Sequence, residues 1–106
     1  MGSLKEVKIT VVQRDCNKEL IEEYAASGIG ACGKVELGDV FISKDGKMPE
    51  GFCVEAWSSF DKYVFALAHG ADGFWESWIP KRGVSINSCN DGLRPVIFKL
   101  ETDFGE

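Results

Sequence analysis

Apolar and polar residues alternate at the start of the chain, with Val7, Ile9 and Val11 on one face of an extended segment and Lys8 and Thr10 on the other. This period of two from Lys5 to Gln13 predicts a half-buried β-strand. Val12 breaks the alternation and predicts partial cover on the second face. Beyond Asp15 and Asn17, either of which can cap a helix, Leu20, Ile21, Tyr24 and Ala25 recur at helical spacing. A helix from about Lys18 to Ser27 follows, with Glu19, Glu22 and Glu23 facing water and Gly28 as its stop.

Lys34 to Ser43 predicts a second strand region, bent at Gly38-Asp39. Asp45-Gly46 turns the chain, and Met48-Pro49-Glu50-Gly51 is an irregular approach in which Pro49 keeps Met48 out of a helix. From Phe52 to His69 the apolar positions return to helical spacing: Cys53, Ala56, Trp57, Phe60, Val64, Leu67 and Ala68 form one broad stripe. That is the main core helix, with Ser58 or Ser59 able to start a fresh turn and introduce a kink. Ala71 to Arg82 is a connection rich in aromatics, which must fold back on the core or cover something.

The C-terminal segment predicts a β-hairpin: Val84 to Cys89, a three-residue loop Asn90-Asp91-Gly92, then Leu93 to Glu101. That loop pairs Val84 with Phe98 and Ile86 with Val96 on the buried face and turns Cys89 to the other side. The element order β-α-β-α-β-β predicts an α+β fold, a small curved, mainly antiparallel sheet with two helices. At 106 residues there is room for a single domain, 1–106, which buries about 65% of its unfolded surface.

Charge narrows the partners. Seventeen acidic residues against twelve basic ones give a formal charge of −5, and no three bases adjoin. Nucleic acid and anionic membrane surfaces are thereby disfavoured. No apolar run approaches the ~20 residues of a membrane span, and the opening residues carry no secretory apolar segment, so a cytoplasmic protein is expected. A reducing cytoplasm in turn leaves Cys16, Cys32, Cys53 and Cys89 unpaired.

Candidate chemistry centres on those thiols. Cys32, Cys53 and Cys89 are candidate metal ligands, since soft metals take sulfur, although no C-x-x-C knuckle occurs. Cys89, beside a tight turn and close to Asp91 and Arg94, is the candidate reactive thiol. His69, the one histidine, is a candidate base for Cys89 or Cys53, against the simpler reading of a histidine favoured at a helix C-terminus. Cys53 on a helical stripe also suits a small core hydrophobe, and Asn90-Asp91-Gly92 suits plain turn chemistry. Gly28-Ile29-Gly30-Ala31-Cys32-Gly33 spells a dinucleotide fingerprint but follows a helix and precedes a strand, the reverse of what such a site needs.

Three stretches carry a family resemblance: Met48-Pro49-Glu50-Gly51-Phe52-Cys53 with Ala56-Trp57, then Ala66-Leu67-Ala68-His69-Gly70 leading to Phe74-Trp75, and Cys89-Asn90-Asp91-Gly92-Leu93-Arg94-Pro95 running on through Val96 to Glu101. Together they resemble a family of small, usually stand-alone bacterial and archaeal proteins of uncharacterised function, over nearly the whole chain. Family members often carry a proline soon after the Phe52-Cys53 pair and a second cysteine beside the Cys89 position. Val54-Glu55 and Ser88 stand there instead, which removes a vicinal thiol pair as a redox or metal device.

The leading expectation is a non-enzymatic module that binds a small-molecule ligand or a protein partner. Its surface would combine the Met48–Trp57 segment, the Phe74–Trp78 loop and the Cys89–Arg94 turn, with Glu50, Cys53, Trp57, Trp75, Trp78, Asp91 and Arg94 as ligand-binding residues. The rival is a small thiol-dependent or metal-binding enzyme using Cys89 with Cys53, Cys32 and His69. A third reading makes Trp75 and Trp78 a homodimer contact. The sequence identifies no cofactor.

Overall fold

A computed structural model of the chain describes residues 4–74 and 78–103. In chain order these form β1 (Val7–Arg14), α1 (Lys18–Tyr24), β2 (Val40–Ser43), α2 (Val54–Ala68), β3 (Val84–Ser88) and β4 (Val96–Glu101). The strands make one open antiparallel sheet in the order β2-β1-β4-β3. The α+β class and the C-terminal hairpin agree with expectation, as do the two helices among the described residues.

The alternation in β1 does what its period requires. Val7, Ile9 and Val11 are buried, and β4 answers with Val96, Phe98 and Leu100 on the same face. Against that face lies α2, burying Ala56, Phe60, Val64, Leu67 and Ala68. The helix runs unbroken as one element, so no kink forms at Ser58-Ser59. Both hydroxyls donate back to the Glu55 carbonyl, at 3.0 and 2.9 Å, and the backbone continues past them.

Val12 is not covered. It is 40% exposed, and the β1–β4 register shifts between Val11 and Gln13. The out-of-turn residue marks a β-bulge rather than a second packed face. The second strand is shorter than its apolar stretch, because Gly38 N–H donates to the Val11 carbonyl and only Val40–Ser43 pair beyond that bend. Helix α1 is also short and buries no residue; Leu20 and Tyr24 are 46% and 75% exposed.

The hairpin register differs from the expected one by an odd number of residues. Val84 faces Glu101 and Ile86 faces Lys99, so Ser85 and Asn87 point inward opposite Leu100 and Phe98. Ser85 is fully buried while Ile86 is exposed. The connection spans residues 89–95, for reasons visible in its hydrogen bonds. Asp91 Oδ1 takes the N–H groups of Leu93 and Arg94, at 2.8 and 3.1 Å. The Leu93 and Pro95 carbonyls accept from Asn17 and Asp15, which attaches the loop to the β1–α1 connection rather than to β3. An odd shift exchanges the faces of a strand, so Cys89 packs toward the core side instead of away from it.

Candidate functional site

Three irregular segments close on one cavity of about 270 Å³. Cys53 enters it from the N-cap of α2, in an extended conformation at φ −68° and ψ 120°. The preceding turn is closed by Phe52 N–H donating to the Pro49 carbonyl at 3.2 Å, and Gly51 adopts φ +76°, a region that a β-carbon disfavours. Phe52 then anchors the segment. Its ring meets Phe41, Phe98, Phe60 and Trp57 at centroid separations of 4.8, 5.6, 6.0 and 6.3 Å.

Cys89 reaches the cavity from the end of β3. Its N–H donates to the Val96 carbonyl at 3.0 Å, and the Val96 N–H donates to Cys89 Sγ at 3.3 Å. Cys32 comes from the loop after α1, whose carbonyl accepts from Arg14 Nη2 at 2.5 Å. That one bond fastens the loop to the far end of β1, where Arg14 lies opposite Val96. Buried Val35, Ala56, Val96 and Phe98 supply an apolar lining.

The rim is polar. Glu55, in the first turn of α2, accepts from Asn90 Nδ2 at 2.9 Å, linking the helix to the β3–β4 loop across the mouth. Asp91 and Arg94 pair at 3.2 Å. The Leu93 N–H above all, then the Arg94 N–H and its guanidinium, hold the Asp91 carboxyl below the ordinary carboxylate range against a smaller opposing effect of burial. Lys34 completes the rim.

Cys32, Cys53, Cys89, Asp91 and Arg94 all line this one cavity. Among the described residues no group of three or more His, Cys, Asp or Glu is arranged to hold a metal ion. The thiols share walls of a cavity without forming a coordination set. Cys16 lies apart, and all four cysteines are free.

His69 sits at the opposite end of α2 from Cys53, about 24 Å away along the axis at 1.5 Å per residue. It stacks on Phe65 at 4.1 Å, and its Nδ1 lies 2.7 Å from the Phe65 carbonyl. The role of base for these thiols is corrected accordingly. Glu50 is exposed in the turn before α2, and Trp57 leans on Phe52; neither lines the cavity. Phe74 and Trp78 also lie away from the cavity, with Phe74 packed on Tyr63 of α2 at 5.1 Å and Trp78 79% exposed. Trp75 falls outside the described residues.

Lys34, Glu55 and Asn90 are the rim residues that sequence reading did not select. No local signal joins them, since they come from three segments that only the folded chain brings together. The chain matches no family model, no curated protein and no solved structure. Among the described residues no helix is long and apolar enough to cross a membrane.

Proposed function

We propose that this protein is a binding module for a small, partly apolar molecule held between the Cys32 loop, the start of α2 and the β3–β4 loop. The observation that carries this reading is the convergence of three separate irregular segments on one hollow with a buried apolar lining and a polar rim. Ligand sites have that make-up. The volume of about 270 Å³ lies just under the usual range of roughly 300–1,000 Å³, which suits a small metabolite. Two of its walls come from the Met48–Trp57 and Cys89–Glu101 stretches, the segments that carry the resemblance to the uncharacterised family, and we place the chain in that family. The reading also places the protein in the cytoplasm, where four free thiols persist.

Titration of ¹⁵N-labelled protein with cyclohexanol and 1-hexanol tests the reading. Shifts are expected at the amides of Cys53, Cys89 and Val96, and Ala56→Met, which fills the hollow, should abolish them. Shifts scattered over the surface and unchanged in that variant would count against it.

One observation favours a second reading, thiol chemistry at Cys89. Its sulfur borders the cavity and holds the Val96 N–H. That reading requires one thiol to react with a chromogenic disulfide more than tenfold faster than the other three, and Cys89→Ser to remove the fast phase. Four similar rates would dismiss it.

A further inference from the structure

We infer that the molecule taken up by this cavity is a small zwitterion with an apolar body, of the α-amino acid class; the inference rests on the binding reading above. The rim charges lead to it. Asp91 and Arg94 neutralise each other at 3.2 Å. Lys34 and Glu55 have no ion-pair partner among the described residues, and the Glu55 carboxylate accepts from the neutral Asn90 amide through Oε1. Both residues also border the adjoining groove that contains Asp39, Phe41 and Gly51, so they stand on the ridge shared by the two hollows.

A ligand settling here withdraws water from both charges. A neutral molecule leaves an ammonium and a carboxylate partly desolvated and unpaired, which is costly. A simple anion meets Lys34 but brings its charge toward Glu55, and a simple amine has the converse fault. A zwitterion satisfies both, placing its carboxylate on Lys34 Nζ and its ammonium on the Glu55 oxygen that Asn90 leaves open. Its side chain then lies on Val35, Ala56, Val96 and Phe98, beside polarisable sulfur. A hollow of about 270 Å³, just under the usual range for ligand sites of roughly 300–1,000 Å³, suits a ligand the size of a single amino acid.

Four probes of one length separate the contributions: L-norleucine, hexanoic acid, pentylamine and 1-hexanol, each titrated while the amides of Cys53, Cys89 and Val96 are followed by NMR. Norleucine is expected to bind at least tenfold more tightly than the other three. Lys34→Met should weaken norleucine about tenfold and leave pentylamine no weaker, while Glu55→Gln should weaken norleucine and leave hexanoic acid no weaker. Both side chains are exposed, so both variants should fold. Equal or tighter binding of any single-charge or neutral probe overturns the zwitterion inference and leaves the cavity reading standing. Failure of all four probes to shift those amides overturns the cavity reading itself.

Discussion

Cys89 and Val96 close the β3–β4 ladder with an exchanged acceptor. The Cys89 N–H donates to the Val96 carbonyl at 3.0 Å, but the Val96 N–H donates to Cys89 Sγ at 3.3 Å. Ser88 Oγ donates to the Cys89 carbonyl at 2.9 Å. One sulfur thus satisfies a donor on a buried residue and forms part of a cavity wall.

Cys89→Ala removes that acceptor and leaves the Val96 N–H unsatisfied. A loss of about 1–3 kcal/mol is expected, with Cys89→Ser closer to wild type because its hydroxyl can accept the same bond. Urea unfolding of the two variants measures the difference. Equal stabilities would show that sulfur contributes no useful acceptor there.

The Asp91 carboxyl is held below its ordinary value of 3.8, so its contribution to stability is present above the unfolded-state value and is lost as pH falls through the folded-state value. Asp91→Asn keeps an acceptor for Leu93 and Arg94 but loses the charge. It should be modestly less stable than wild type at neutral pH, by less than about 1 kcal/mol because the pair is partly solvated. The gap should close as the pH is taken below 3.8. Thermal unfolding across that range checks the sign; a gap that widens in acid would contradict it.

Phe52→Ala should cost about 3–5 kcal/mol, since it empties the centre of a group of four other rings. Tyr24→Ala, on the exposed side of α1, should stay within about 0.5 kcal/mol of wild type. Chemical denaturation of the two variants provides the contrast. Similar losses would mean that α1 packs more closely than its exposed residues indicate.

His69→Ala should leave the reaction rates of all four thiols within about twofold of wild type at neutral pH, because the imidazole lies at the far end of α2. A stopped-flow thiol titration checks this. A selective slowing of Cys53 or Cys89 would restore the histidine as their base.

Much of the scaffold was legible from spacing. Val7, Ile9 and Val11 specified a strand face, and the stripe from Ala56 to Ala68 specified the helix that covers it, because burial on one side imposes a period of two or of 3.6. The short helix was legible in kind but not in packing: Leu20 and Tyr24 have the spacing of a core face and remain exposed. Part of the site was also legible, as Cys32, Cys53, Cys89, Asp91 and Arg94 were selected by residue chemistry. Glu50, Trp57 and Trp78 were selected for their irregular or aromatic surroundings, and each lies away from the cavity.

The chain by itself determined the α+β class, the two central strands and the core face of α2, since each is a property of neighbouring residues whose periodicity survives without knowledge of distant partners. Only the tertiary structure decided the hairpin register and the cavity. Asp91 captures the neighbouring Leu93 and Arg94 amides within the loop, while the Asn17 and Asp15 amides donate to the carbonyls of Leu93 and Pro95, and it is these last two bonds that join positions far apart in sequence. They lengthen the loop, turn Cys89 inward and bring it, Cys32 and Cys53 to a common hollow. Local pattern carries no record of such pairings, because hydrogen-bond capacity is the same for every backbone amide until the fold chooses its partner.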